Sequence, residues 1–491
     1  MLGTLILLWV GFWLLLFLFR TRRPKNFPPG PWPVPIFGNL LQLNLANPIK
    51  DLGKLSERYG KVFSLYFGER PAVVLNGLQA MKEAMVIRAV DFAGRPLGMM
   101  VTHLGDGKGI VMADYSPSWK EHRRFALMTL RNFGLGKKSL EDRILEEISY
   151  VTTLLERSDG KSINPQILFH KAASNIICSI LFGNRYEHDD EFLQRLLKIF
   201  REITTMVNGP WTMLYDTLPF LKYFQLPFKK TFENMEILKK IAADQIAQHK
   251  STQVPEEPRD FIDCYLDEME KRGEGFSLFN ESQLIILCVE LHIAGTDTIS
   301  NTLLTAYLYL TTHPDVQARC QQEIDAVLGD RAHASFEDRH KMPYVQAMIH
   351  EVQRMANIIP LSVFHRTTKD TQLMGYNIPK GTLIIQNLTS VLYEESQWKF
   401  PHDFNPSNFL NEQGEFVKPE AFMPFSAGPR MCLGEGLARM ELFLFLVTLL
   451  RRFQFVWPED AGLPDYTPVF GVTVSPKPYS MGVRLRCLQT E

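Results

Sequence analysis

Beyond residue 50 apolar residues recur at spacings of three and four through most of the chain, and the spacing predicts helices over 139–156, 192–207, 228–250, 281–312, 314–328, 343–356 and 434–452. Strand-like runs are short and fall in two places. One is 62–77, where VFSLYFG is followed by AVVLNG; the other is 376–388, where a Pro-Lys-Gly turn joins two β-rich runs. The pattern predicts a mainly α fold with a minor β-sheet. With no internal repeat or low-complexity tract, 50–491 reads as one contiguous domain.

The first residues follow a different rule. Residues 2–19, LGTLILLWVGFWLLLFLF, carry no charge, and as a helix they extend about 27 Å at ~1.5 Å per residue, which just crosses a thin bilayer. Arg20, Arg22, Arg23 and Lys25 follow at once, and a basic flank stays on the cytosolic side. A cleaved secretory signal is the competing reading, but the run lacks a basic start and an A-x-A-like cleavage site. The expectation is a single transmembrane anchor over 2–19, of a length suited to the thin endoplasmic reticulum membrane, with the rest of the chain cytosolic. Within 20–49, Pro28, Pro29, Pro31, Pro33 and Pro35 forbid helix and predict a stiff extended linker.

Composition narrows the function only a little. The 491 residues are 45% apolar and 22% charged with a net charge of -1, an ordinary globular balance with no global attraction to nucleic acid. The six cysteines, Cys178, Cys264, Cys288, Cys320, Cys432 and Cys487, form no CxxC pair and no zinc-like spacing. That scatter fits a reducing compartment and leaves each thiol to be judged by its own surroundings.

Cys432 has surroundings unlike the rest. It ends a glycine-rich stretch, Phe422-Met423-Pro424-Phe425-Ser426-Ala427-Gly428-Pro429-Arg430-Met431-Cys432-Leu433-Gly434-Glu435, immediately before a helix. The free N–H groups and positive dipole end of a helix N-terminus favour a thiolate, an anionic metal ligand. Gly434 removes a side chain where a flat ligand would approach the backbone, and Gly428 permits a tight turn that brings Arg430 near. The combination F-x-x-G-x-R-x-C-x-G has five fixed positions, which at ~5% each arise by chance in roughly one such chain in ten thousand.

This stretch resembles the haem-binding signature of the microsomal cytochrome P-450 family, with Phe425, Gly428, Arg430, Cys432 and Gly434 in the matching places. The resemblance extends from the apolar start and PPGP to the last helix, and RNFGLGKKSLEDRI (131–144) and FMPFSAG (422–428) look like the vertebrate family-2 enzymes. It implies the cytochrome P-450 fold, haem b held by Cys432, and insertion of one atom of O2 into a small apolar substrate. A second stretch, Glu290-Leu291-His292-Ile293-Ala294-Gly295-Thr296-Asp297-Thr298, resembles the family's (A/G)-G-x-(D/E)-T motif. Ala294 and Gly295 leave room beside the helix, Thr298 can bond back to a carbonyl one turn earlier, and the resemblance makes Thr298 and Asp297 the catalytic pair that supplies hydrogen bonds and protons for O–O cleavage. His292 departs from the apolar residue usual there and is expected to line or flank the substrate cavity.

Further haem contacts follow from the resemblance alone: Arg95 in FAGRP, Trp119 and Arg123 four apart in SWKEHRR, His365 beside Arg366, and Arg430 are expected at the propionates, with Ala294 above the ring. Glu351 and Arg354 resemble the buried E-x-x-R pair, whose third member is usually basic but here is Asn408, so its charge network is expected to be incomplete. The substrate segments are expected at 97–114, parts of 192–225, Ile293, Ala294, 358–364 and 469–474, with 208–227 dipping into the membrane. No G-x-G-x-x-G fingerprint is present, so NADPH is expected to act through a flavoprotein reductase rather than on this chain. That reductase would meet Arg123, Arg124, Arg131, Lys137 and Lys138, with cytochrome b5 as a further candidate donor. A haem-thiolate isomerase acting on lipid peroxides, and a non-catalytic haem or lipid sensor, are the alternative classes; Asp297 and Thr298 favour the monooxygenase.

Overall fold

The computed structural model describes residues 2–20, 23–132, 139–207, 209–273, 278–331 and 333–487. Helix α1 covers Leu2–Arg20. The body is built on α2 (Pro117–Asn132), α3 (Leu140–Glu156), α4 (Pro165–Phe182), α5 (Glu191–Val207), α6 (Lys229–Thr252), α7 (Phe261–Arg272), α8 (Glu281–Thr312), α9 (Pro314–Leu328), α10 (Pro343–Ala356) and α11 (Glu435–Arg452). Their starts follow local chemistry. Ser139 and Asp142 form a reciprocal capping box for α3, and Asp260 and Asn280 accept backbone N–H groups at the first turns of α7 and α8. Proline occupies the first helical position of α9 and α10.

Helix α8 runs through the centre, packed on α4, α6, α10 and α11. It is long and apolar enough to cross a membrane by length and composition, but a nearly continuous run from Ile299 to Leu308 is buried among other helices, which makes it the core helix. Its closest companion is α4, buried nearly all round from Ala172 to Phe182. A Cβ on Gly295 would lie 2.4 Å from Ile177 Cδ1, so glycine there lets the two helices close.

The main sheet holds β1 (Val62–Phe67), β2 (Arg70–Leu75), β3 (His365–Arg366) and β4 (Leu383–Gln386) in the order β1-β2-β4-β3. β1 pairs antiparallel with β2, β2 parallel with β4, and β4 antiparallel with β3, which delivers His365 to the edge nearest the cysteine segment's cations. A second sheet pairs β5 (Phe453–Val456) with β6 (Met481–Leu485). The proline segment is not a free spacer. Ser64 N donates to Pro29 O at 2.7 Å and Ser64 Oγ to Pro28 O at 2.8 Å, and a Cβ on Gly30 would meet Ser64 O at 2.0 Å, so this stretch is clamped along β1.

On α10, Arg354 and Glu351 are fully buried and bonded twice, at 2.7 and 2.8 Å. Asn408 Nδ2 donates to Glu351 Oε1 at 3.1 Å, so a neutral amide takes up the hydrogen bonding of the third position without supplying its charge.

Candidate active site

Cys432 lies between the short helical turn Gly428–Arg430 and α11. Gly428 has φ +74°, and a Cβ there would sit 1.9 Å from Met85 O, so only glycine lets this turn seat against the neighbouring backbone. Cys432 N donates to Phe425 O at 3.0 Å, which closes the loop around the thiol. The Phe425 ring lies 5.7 Å from the Arg439 guanidinium, itself paired with Glu435. At Gly434 a Cβ would meet nothing nearer than the Cys432 sulfur at 4.0 Å, leaving the open approach that a flat ligand needs. Cys432 is solvent-accessible, yet desolvation is the largest influence on its thiol, so it lines an internal recess rather than the outer surface. Burial pushes the thiol up; the Gly434 amide and Arg123 pull it back only in part.

Around this recess stand cations without carboxylates. Arg95 spends Nε on Val111 O (2.7 Å) and Nη1 on Val363 O and Phe364 O (2.9 Å each). Arg430 donates to Ala93 O at 2.9 Å and Ala113 O at 2.8 Å and lies 4.1 Å over the Trp119 ring. Arg123 donates to Met431 O and lies 5.6 Å from the centre of the Trp119 ring. Trp119 gives its single N–H to Ile110 O at 2.9 Å. His365 Nδ1 donates to Phe92 O at 2.8 Å, and Arg366 pairs with Asp114 at 2.6 Å, so of these two neighbours it is His365 that stands beside the cations. Burial, then repulsion from Arg430, holds Arg95 well below its ordinary range; burial brings Arg430 down to about 10, and burial with Arg95 and Arg430 holds His365 low. Among the described residues neither Arg95, Arg123 nor Arg430 has an ion-pair partner within 4.0 Å. Buried guanidiniums are costly unless an anion answers them, and the two carboxylates of a haem meet that need.

On α8, Thr298 Oγ1 donates to Ala294 O at 2.7 Å, the back-bond expected of it. Ala294 is exposed halfway along a helix whose neighbours Val289, His292 and Thr296 are buried, which marks the wall of an internal cavity. Two expectations change. Gly295 faces Ile177 of α4 and opens no groove; Ala294 alone does. His292 faces the same way as Gly295: its Nε2 lies 2.9 Å from Ser174 Oγ, its ring packs on Phe182 and Phe200, and burial holds it near a pKa of about 3, so it neither lines the cavity nor serves as a ligand. Asp297 lies 3.8 Å from His170 of α4; burial raises its carboxyl, opposed by His170 and Arg201.

The chain's similarities agree with this geometry. A sequence model described as "Cytochrome P450" matches residues 28–483. The chain belongs to the cytochrome P-450 family. It is 43% identical over 475 residues to "Cytochrome P450 2J2" of Homo sapiens, covering 96% of this chain and 94% of that relative. It is 42% identical over 467 residues to "Cytochrome P450 2F2" of Mus musculus (94% of each) and 43% identical over 467 residues to "Cytochrome P450 2D9" of Mus musculus (94% and 93%). The relatives place it among the family-2 enzymes, and a member of this family is a monooxygenase, an oxidoreductase that uses haem.

Three residues of this P-450 site were not read from the sequence as functional: Glu290, which accepts three backbone N–H groups; Asp114, which pairs with Arg366; and His170, beside Asp297. Only Glu290 left a signal, an acid that follows the apolar run Leu284–Val289.

Proposed function

We propose that this chain is a membrane-anchored monooxygenase that inserts one atom of O2 into small apolar substrates, with Cys432 as the thiolate ligand of haem b. The observation that carries the reading is a set of cations, the buried Arg95 and Arg430 and the half-buried Arg123, gathered beside Cys432 without a carboxylate partner among the described residues. They fit the cofactor's carboxylates, with Trp119 and His365 packed among them, Phe425 and Gly434 shaping the cysteine side and Ala294 the substrate side. Haem, when bound there, supplies the oxygen and redox chemistry, and a thiolate ligand favours O–O cleavage. Thr298, turning from the Ala294 carbonyl, offers its hydroxyl to the reacting oxygen. Asp297, a carboxyl that burial keeps easily protonated, passes protons inward, and His170 holds it in place.

Electrons come from an NADPH-dependent flavoprotein reductase, with cytochrome b5 as a second donor. Arg123 belongs to the cofactor cluster, which leaves Lys120, Arg124 and Arg131 as the exposed cations of α2, the helix whose Arg123 reaches the cysteine loop; Lys137 and Lys138 lie outside the described residues. Residues 2–19 anchor the chain in the endoplasmic reticulum membrane, residues 20–49 link it to the catalytic domain at 50–491, and that domain lies on the cytosolic side. Ile36 O and Thr217 both approach Gly68, which brings the segment of exposed Ile36 to the start of the stretch carrying exposed Phe220, Tyr223 and Phe224, and exposed apolar residues of this kind suit lipid. The test is turnover of the full-length chain with reductase, NADPH and isotopically labelled O2. One labelled atom in the product is expected, with peroxide replacing product in Thr298→Ala; turnover of lipid peroxides without NADPH would overturn the reading in favour of an isomerase.

A further inference from the structure

One stretch of backbone, 109–114, connects the oxygen-side helix to the cations, and its polar atoms divide by direction. The N–H groups go to α8: Gly109 N donates to Gln283 Oε1 at 2.9 Å, Ile110 N and Val111 N to Glu290 Oε2 at 2.7 and 2.9 Å, and Met112 N to Glu290 Oε1 at 3.1 Å. The carbonyls go to the cofactor cluster: Ile110 O accepts from Trp119 Nε1 and, at 3.3 Å, from Arg430 Nη1; Val111 O accepts from Arg95 Nε and Ala113 O from Arg430 Nη2. Gly109 makes the fit possible, because at φ +84° a Cβ would stand 2.2 Å from Glu290 Oε2.

A carboxylate that accepts consecutive backbone N–H groups makes charge-assisted bonds roughly twice as strong as neutral ones. Each peptide unit so held points its carbonyl the other way. The alignment is electrostatic as well as steric, because Glu290 also favours the charged forms of Arg95 and Arg430 across the stretch.

We propose that Glu290 is a positioning residue that fixes the backbone of 110–112 and through its carbonyls aims Arg95 and Arg430 at the cofactor's carboxylates. The grip on haem is thereby tied to an acid on the substrate-side helix, one turn before Ala294. This rests on the reading above that Arg95 and Arg430 hold those carboxylates.

The experiment compares the full-length holoenzyme with Glu290→Gln, Glu290→Asp and, as a reference, Arg430→Leu. Two quantities are followed: deuterium uptake at the amides of 110–112 and the rate of haem transfer to an apoglobin acceptor. Glu290→Gln is expected to speed exchange at 110–112 by about tenfold and haem transfer several-fold, with Glu290→Asp, which keeps the carboxylate, recovering part of both. Unchanged exchange in Glu290→Gln would overturn the clamp. Faster exchange with haem transfer altered only by Arg430→Leu would overturn the link to the cofactor. Haem transfer unaffected even by Arg430→Leu would overturn the assignment of the cations, and the link with it.

Discussion

Two buried groups of arginine differ in what answers their charge. Arg354 is sealed on itself: two bonds to Glu351, four backbone carbonyls from Leu392, Phe400, Pro401 and Asp403, and Asn408 closing the far side of the carboxylate. Arg95 and Arg430 are also buried but donate to carbonyls only, repel each other, and have Glu290 and Asp114 at a remove. A closed pair stabilises a scaffold, whereas an open set of cations stabilises a bound anion. The same residue type therefore serves folding in one place and cofactor retention in the other.

The largest expected effect breaks the closed pair. Glu351→Ala strands the Arg354 charge in the interior, and a loss of about 3–5 kcal/mol is expected from thermal or urea unfolding, whether or not haem is bound. Arg430→Leu breaks the open set with the opposite profile. Haem-depleted protein is expected to unfold at the same denaturant concentration or higher, since an unanswered charge is gone, while haem affinity falls by about 2–3 kcal/mol. Equal destabilisation of the haem-depleted protein by both substitutions would erase the distinction.

A third buried charge sharpens the comparison through pH. Burial raises the Asp297 carboxyl above its unfolded value, so its ionised form is penalised in the fold above that raised pKa, and the penalty is relieved as pH falls through it. Asp297→Asn lacks the penalty. It is expected to be more stable than the native chain by about 1 kcal/mol or less at neutral pH, with the difference closing in acid, while product formation drops in favour of peroxide. A variant that is less stable at neutral pH would assign Asp297 to the scaffold instead.

What was legible in the sequence follows from what pattern can encode. α8, α9 and α10 begin and end where apolar spacing, caps and prolines place them, because those signals are local. α4 was not read, since a helix apolar on every side shows no stripe, and β5 and β6 are too short and far apart to signal their pairing. At the site, the cysteine segment was legible as a combination of fixed positions. The orientation of Gly295 and His292 was not: helical spacing puts them on one face, but only packing shows that α4 covers that face. The donors of Arg95 and Arg430 meet backbone carbonyls, which are alike in every residue and leave no mark in the sequence.

The most direct measurement of the central claim is the absorption spectrum of the reduced carbonyl complex of Cys432→His, taken on protein shown to contain haem. Loss of the red-shifted Soret band is expected, because that band requires a thiolate on the iron. A variant that keeps the band would remove Cys432 from the metal and contradict the account.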